Sequence, residues 1–312
     1  MSCHKPLEAY RSPSGAIIFN RHLSLTRISF QLPCGRCIGC RMEKARQWGM
    51  RCLHEAKMWP SNHYVTLTYG DEFLPPGGTV CVRDVQLFMK RLRKRCQGVG
   101  YAMVNGEWSN PIRFFLGAEY GENNGRPHYH ALLFNCSFGD LVPFGRNKRG
   151  ETLYTSSLLS SLWSSDGSPM GHCTVGAVTF DSAVYCAKYA LKKVTGDAAY
   201  EAYQVWDENG ELYDRVPEFA VMSRRPGIGA PYYEKFGGEV RSLDNVVING
   251  KTVRPPRYYD GKSEIFDAPL LSEHKSDRKR LAVKNKSDNT PERLRVKEKL
   301  AIIAAKQKER KL

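Results

Sequence analysis

The sequence lacks any long hydrophobic run. No stretch of its 312 residues approaches the roughly 18 apolar residues of a membrane-spanning helix, and the opening MSCHKPLEAY has no apolar signal-peptide core. We therefore expect neither export nor a membrane span. No internal repeat is evident, and there is no Gly-x-x-x-x-Gly-Lys-[Ser/Thr] motif, so no fused helicase domain is expected.

Acidic residues are in the minority. The chain has 47 Lys and Arg against 32 Asp and Glu, which gives a formal net charge of +15 and a pI near 9.4. A polyanion is therefore the first partner to expect, and a soluble protein with a basic tail is the alternative. Much of the excess lies in residues 275–312, which we interpret as a mostly disordered tail attracted to DNA.

Ten cysteines in a chain of this length, without a signal peptide, do not suggest a disulfide scaffold. The segment PCGRCIGCR places Cys34, Cys37 and Cys40 at two-residue spacings that let several thiolates reach one ion. Cys3 or His4 is available as a fourth ligand if the N-terminus folds back. We expect structural Zn²⁺ here, and an iron–sulfur cluster or unligated thiols are the alternatives.

Two histidines stand two residues apart in GRPHYHALLF, a β-strand pattern over residues 125–134. Side chains alternate between the faces of a strand, so His128 and His130 leave the same face. The strand pattern of residues 113–120 ends in a Gly- and Asn-rich turn, which predicts an antiparallel hairpin with Glu119 close to His128. These three side chains suit Mg²⁺ or Mn²⁺ with positions open for substrate, and ordinary surface or core histidines are the alternative.

Two tyrosines lie four residues apart in YCAKYALKK, a helical pattern over residues 185–193. Tyr185 and Tyr189 therefore share a helix face, about 6 Å apart. Lys188 and Lys192 each follow a tyrosine by three residues, so each is suited to steady a phosphate or to lower the phenol pKa. Tyrosines that pack in the core, with lysine stems beside them, are the alternative interpretation.

Together the histidines and tyrosines suggest metal-assisted phosphodiester transfer to tyrosine. A phosphodiester is anionic and repels nucleophiles, and a divalent cation relieves that repulsion. A tyrosine hydroxyl, with its pKa of about 10, needs such activation or alignment. Attack would leave a 5′-phosphotyrosine and a free 3′-hydroxyl, a reversible step, and the second tyrosine would attack while the first still holds DNA. The pattern thus predicts a protein that nicks DNA.

Two further basic segments are candidate DNA contacts. The helical pattern that begins near Asp84 has a basic face, and the Gly/Pro loop MSRRPGIGAPYY, from Met222, combines arginines with tyrosines, a composition suited to single-stranded nucleic acid. A solvated helix face and an ordinary surface loop are the alternatives. The residues are Lys90, Arg91, Arg93, Lys94, Arg224 and Arg225.

At these residues the sequence resembles the HUH endonucleases, in which a His-hydrophobic-His strand pairs with a tyrosine helix. Three ordered motifs match: YVTLTY (64–69), RPHYHALLF (126–134) and YCAKYALKK (185–193), with Tyr129 as the middle residue of the histidine motif. The Tyr-x-x-x-Tyr-x-x-Lys form is similar to that of replication initiators of small single-stranded DNA bacteriophages. MSCHKPL, PCGRCIGCR with QWGMRC, and MSRRPGIG resemble the microvirus initiators, in particular the gokushovirus-like branch.

The resemblance implies an α+β fold, with a five-stranded antiparallel sheet and helices on one side. It implies metal binding by His128 and His130, with Tyr185 and Tyr189 as nucleophiles. The implied activity is nicking of the viral strand at a replication origin, followed by rolling-circle synthesis and religation into a circle. The implied partners are the viral DNA, single-stranded and supercoiled, and the host helicase, polymerase and single-strand binding protein, in the host bacterial cytoplasm.

Three regions are expected along the chain: a Cys-rich segment and helix (1–60), an HUH endonuclease domain (61–235), and an irregular region with a basic tail (236–312). Two alternative functions stay open. One is a plasmid initiator, relaxase or transposase of the same superfamily. The other is a non-enzymatic zinc-containing DNA-binding protein whose histidines are structural.

Overall fold

Two compact units make up the protein, which is represented by a computed structural model. The terminal unit comprises Met1–Lys44 and Asp267–Leu312, and the central unit comprises Ala45–Phe266. The predicted boundaries after residues 60 and 235 stay predictions. The structure describes residues 3–104, 106–121, 124–189, 198–207 and 209–309.

The strands are short outside the middle of the chain. In order they are β1 (Leu7–Arg11), β2 (Ile17–Ile18), β3 (Phe30–Leu32), β4 (Asn62–Thr68), β5 (Ala102–Val104), β6 (Glu107–Ser109), β7 (Arg113–Tyr120), β8 (Pro127–Phe134), β9 (Val142–Arg146), β10 (Thr152–Thr155), β11 (Ser164–Ser165), β12 (Ser168–Pro169), β13 (Cys173–Ala177), β14 (Gln204–Trp206), β15 (Leu212–Asp214), β16 (Ala220–Met222), β17 (Val246–Ile248) and β18 (Lys251–Val253).

The α-helices are distributed over both units. In order they are α1 (Ile38–Ala56), α2 (Val82–Arg95), α3 (Ser157–Leu162), α4 (Phe180–Tyr189), α5 (Ala198–Tyr203), α6 (Ala230–Leu243), α7 (Arg257–Phe266), α8 (Ala268–Lys284) and α9 (Pro291–Glu309). Among the described residues, none of these helices has both the length and the apolar character that crossing a membrane requires.

A seven-stranded sheet forms the centre of the central unit, with the strand order β16–β7–β8–β4–β13–β10–β9 and antiparallel pairing throughout. The chain is therefore a mixed α and β protein with a large antiparallel sheet, as predicted. The sheet has two strands more than the five expected. Every residue of β9 is exposed, so no buried apolar alternation marks that edge strand in the sequence.

Both faces of this sheet are covered by helices, which corrects the expectation of helices on one side. On β8, Tyr129, Ala131 and Leu133 join a core with α2 and α3, whereas Leu132 and Phe134 join a second core with α1 and α4. A strand buried on both faces has apolar residues at consecutive positions, which explains the run ALLF at the end of the histidine motif. The histidines therefore lie on the face that α1 and α4 cover.

The region after residue 235 is more regular than predicted. Helices α6 and α7 and the β17–β18 hairpin enclose a small core of their own, which includes Tyr233, Val246 and Tyr259. The basic tail, predicted to be disordered, forms α8 and α9. Asp267 caps α8, and Thr290 accepts a hydrogen bond from the Arg293 N–H at the start of α9. Capping thus offsets the low apolar content of these helices.

Candidate functional site

The β7–β8 hairpin places a carboxylate beside two imidazoles. Glu119 lies directly opposite His128 in the strand register, as hairpin geometry predicts. Its Oε1 atom is 2.7 Å from Nε2 of His128 and 2.9 Å from Nε2 of His130. The ligating atoms of the three residues all lie within 4.8 Å of one another. The structure therefore brings together the three residues predicted to hold a metal ion.

The far nitrogen of each imidazole contacts a group that orients the ring. Nδ1 of His128 lies 3.2 Å from the carbonyl oxygen of Arg126, which can only accept, so this nitrogen donates. Nδ1 of His130 lies 2.6 Å from the Tyr64 hydroxyl and 3.1 Å from that of Thr66. Such second contacts fix the tautomer of metal-binding histidines. Tyr64 and Thr66 were not predicted as site residues.

Burial and charge make Glu119 a demanding neighbour. Burial alone would raise the pKa of Glu119, but hydrogen bonds from His128 and His130, and their charge, outweigh it and lower that pKa. The carboxyl group is thus ionised, although its side chain is only 3% exposed. Because Nδ1 of His128 donates to Arg126, neutral His128 turns an Nε2 lone pair towards this carboxylate. Two facing lone pairs need a cation between them or a proton on the imidazole, so the donor set fits a divalent metal ion.

The tyrosine helix lies against the histidine strand. The ring of Tyr185 on α4 packs edge-to-face on that of His130, with centroids 5.2 Å apart and planes at 74°. Lys188 is half-buried one turn further along α4. Tyr189 ends the helix, its side chain lies outside the described residues, and so does Lys192. Of the four predicted catalytic residues, the structure thus brings Tyr185 to the metal-binding group and describes Lys188 nearby on the same helix.

Two small residues that the sequence did not identify hold α4 in place. Cys186 is fully buried, and its thiol donates to the carbonyl oxygen of His130, with a sulfur–oxygen distance of 3.1 Å. Gly49 on α1 faces Val184, where a Cβ atom would lie 2.4 Å from the Val184 Cγ2 atom. Glycine therefore lets α1 approach α4 closely, and the contact of Cys186 places Tyr185 next to the metal-binding group.

The predicted basic residues do not form one surface. Arg91 donates from Nε to the carbonyl oxygen of Leu162, at 2.7 Å, and thereby ties α2 to α3. Its buried position corrects the prediction of a DNA contact, because the guanidinium is engaged in packing. Lys90 and Lys94 are exposed on α2. Three other predicted residues, which come from two distant parts of the chain, line a single cavity: Arg93, Arg224 and Arg225.

The cysteine cluster lies in the terminal unit. The sulfur atoms of Cys3, Cys34, Cys37 and Cys40 all lie within 4.8 Å of one another. Cys3 and not the imidazole of His4 completes the group, and the His4 backbone N–H donates to the Cys37 sulfur at 3.3 Å. A tetrahedral zinc site with bonds of about 2.3 Å has sulfurs about 3.8 Å apart, so the group suits a single ion.

Backbone hydrogen bonds prepare one thiol of this cluster to ionise. Burial would raise the pKa of Cys37, but the backbone N–H groups of His4 and Cys40 and the neighbouring thiols lower it to about 6. Burial raises the pKa of Cys40 and of Cys3. Thiolate is the form that binds metal, and several adjacent thiolates repel one another unless a cation lies between them. The cluster therefore has the chemistry of a metal site.

Comparisons with known proteins find relatives of one kind. The model of the replication-associated protein ORF2 family matches residues 62–194, from β4 past the end of α4. Replication-associated protein VP4 of Bdellovibrio phage phiMH2K is 33% identical over 83% of this chain and 76% of its own length. Replication-associated protein ORF2 of Spiroplasma virus 4 is 31% identical, over 85% and 81%.

A more distant relative has the same kind of description. Replication-associated protein ORF4 of Chlamydia phage 1 is 26% identical over 75% of this chain and 53% of its own length. No solved structure matches the chain.

Proposed function

The chain belongs to the replication-associated protein ORF2 family, with relatives in microvirus-like phages, and we propose that it is the endonuclease that nicks the viral strand at the replication origin. The proposal is a tyrosine-nucleophile mechanism of the HUH type, followed by rolling-circle synthesis and religation. The observation that carries it is the contact between Tyr185 and His130, whose Nε2 atom lies 2.9 Å from Glu119. A nucleophile and a metal-binding group thus meet at one place.

The covalent step conserves atoms and charge. The Tyr185 hydroxyl oxygen forms a bond to phosphorus while the bond from phosphorus to O3′ breaks. The phenol proton leaves through solvent, and O3′ takes up a proton, so the products are a 5′-phosphotyrosine and a 3′-hydroxyl. The reverse reaction uses the same groups. Tyr189, four residues along the helix, is the second nucleophile, which would attack while Tyr185 still holds DNA.

Residues around Tyr185 would serve the charged phosphate. His128, His130 and Glu119 would hold Mg²⁺ or Mn²⁺, which neutralises non-bridging oxygens and polarises phosphorus. Lys188 would steady a phosphate oxygen or lower the pKa of Tyr185, and Lys192 would serve Tyr189 in the same way. Tyr64 and Thr66 are positioning residues, because they contact the far nitrogen of His130.

A covalent-adduct assay tests this function. The protein is incubated with Mn²⁺ and a labelled single-stranded oligonucleotide that contains the origin, and then denatured in SDS. We expect a labelled band at the mass of protein plus DNA. Stable DNA binding without such a band would instead support a non-enzymatic zinc-containing DNA-binding protein. The phage origin of the relatives favours a viral replication role over a plasmid initiator, relaxase or transposase.

The remaining partners follow from this role. We propose that the protein acts on single-stranded and supercoiled viral DNA in the host bacterial cytoplasm. A nicking enzyme supplies a 3′-hydroxyl but does not extend it or separate strands. A host helicase, polymerase and single-strand binding protein are therefore the partners that the role requires.

We expect about one zinc ion per chain in the purified protein, held by Cys3, Cys34, Cys37 and Cys40. Cys34→Ser should remove most of the zinc and lower the melting temperature, because the free energy of binding a structural zinc ion also stabilises the fold. Elemental analysis by mass spectrometry measures the metal.

Cys96→Ser is the matched control for this zinc prediction, since Cys96 is a half-buried thiol outside the cluster. It should keep its zinc. Iron in place of zinc would identify a cluster, and a protein with neither metal would contradict both assignments.

A further inference from the structure

The cavity that gathers three arginines lies at the opposite end of the sheet strands from the tyrosine centre. It has a volume of about 720 Å³ and opens beside Arg113, the first residue of β7, whereas Glu119 is near the last. Six residues of strand separate the two, which corresponds to about 20 Å. Its size is within the range of pockets that enclose a small organic molecule. The cavity is therefore distinct from the centre that contains His128.

The charge of this cavity is positive and available. Arg224 and Arg225 are exposed just after β16, and Arg93 reaches it from α2 while stacking on Phe114 at 5.4 Å. Within the described part of the chain, no carboxylate forms an ion pair with these three arginines. Arg113 differs, because its Nε atom lies 2.5 Å from the buried carboxylate of Glu55. Three unneutralised guanidinium groups are thus left to face an anion.

An exposed apolar face adjoins the cavity. On the β5–β6 hairpin, Ala102 and Val104 are buried, so the alternate residues point outward. Tyr101 is 66% exposed and also lines the cavity, Trp108 is 70% exposed, and Met103, opposite Trp108 in the register, is 39% exposed. Two accessible aromatic rings beside arginines are the arrangement that proteins use to stack unpaired bases along a phosphate backbone.

We infer that this cavity and the outer face of the β5–β6 hairpin bind a single-stranded segment of the DNA that the protein nicks. Arg93, Arg224 and Arg225 contact the phosphates, and an unpaired base stacks on Tyr101. The inference rests on the proposed function. A separation of about 20 Å corresponds to about six nucleotides at 3.4 Å each, or fewer in an extended strand. The site thus holds the strand a few nucleotides from the scissile phosphate.

The test compares two oligonucleotides in the presence of EDTA, so that binding is measured without cleavage. A short one extends about three nucleotides on each side of the nick site, too short to reach the cavity, and a long one extends about fifteen. Fluorescence anisotropy should show tighter binding of the long one by the wild type. Arg224→Ala with Arg225→Ala should lose most of that gain and reduce the salt slope of binding by about 1.4.

Tyr101→Ala provides an independent arm of this test. It should weaken binding of the long oligonucleotide by about 5- to 150-fold, without a change in the salt slope, because stacking involves no phosphate charge. Arg146→Ala is the matched control, an exposed arginine on the edge strand β9. It should bind both oligonucleotides as the wild type does.

Two outcomes separate this inference from the proposed function. If both the double-arginine variant and Tyr101→Ala bind the long oligonucleotide as tightly as the wild type, the subsite is overturned, whatever the adduct assay shows. If the wild type forms no adduct but the length-dependent binding is lost in these variants, the subsite stands and the nicking activity fails.

Discussion

Tyr185→Phe combined with Tyr189→Phe is expected to abolish the SDS-stable protein–DNA adduct. Each substitution removes one hydroxyl oxygen and keeps the ring, so the contact of Tyr185 with His130 and the packing of α4 are preserved. Without a phenol oxygen no bond to phosphorus can form. Loss of a nucleophile lowers the rate by at least about a thousandfold in enzymes that act through a covalent intermediate. The measurement is the yield of labelled adduct on gels over time.

The single variants divide the work between the two tyrosines. If Tyr185 attacks first, Tyr185→Phe alone abolishes adduct on a substrate with one nick site, and Tyr189→Phe alone blocks only the later rejoining. Tyr200→Phe is the matched control, since Tyr200 is 72% exposed on α5. Adduct formation by the double variant would show that another residue attacks phosphorus.

The sequence predicts well the parts of the fold that depend on local order. Strand β7, the Gly/Asn turn and strand β8 are consecutive, so alternation and turn chemistry were enough to place Glu119 opposite His128. The number of strands was harder. Strand β16 enters the sheet from about a hundred residues downstream of β7, and it has only three residues, so no local pattern shows its pairing.

The contacts around the histidines depend on which strand lies next to β8. Strand β4 occupies that place, and its register sets Thr66 opposite His130, with Tyr64 two residues away on the same face. The YVTLTY motif indicated a strand but not its neighbour, so neither hydroxyl could be assigned. Cys186 was missed for a similar reason, because a cysteine in a helix gives no sign that it contacts a strand carbonyl.

The basic residues show where composition misleads. Arg91 and Arg93 are two residues apart on α2, yet one is consumed by a contact with Leu162 and the other faces a cavity. Charge alone predicted the same role for both. The convergence of Arg93 with Arg224 and Arg225 needs the antiparallel pairing of β16 with β7, which is a property of the tertiary fold.

His128→Ala and Glu119→Gln are expected to remove cleavage and leave most DNA binding intact. Loss of an imidazole or of the carboxylate charge weakens the hold on a divalent ion, and electrostatic stabilisation by such an ion is worth several kcal/mol, or about a thousandfold in rate. Phosphate contacts lie elsewhere, on the exposed arginines and lysines. Adduct yield measures the first effect, and anisotropy with labelled single-stranded DNA measures the second.

Direct metal binding distinguishes this explanation from a general loss of structure. Mn²⁺ titrated into the wild type in a calorimeter should give a binding isotherm that is lost in His128→Ala and in Glu119→Gln, while zinc in the cysteine cluster is unchanged. His172→Ala is the matched control, because His172 is an exposed imidazole beside the same sheet. Glu119→Gln preserves the shape of the side chain, so its failure to bind Mn²⁺ would be due to charge. Undiminished cleavage by both variants would contradict the metal assignment, and the ion would then have to bind at other residues.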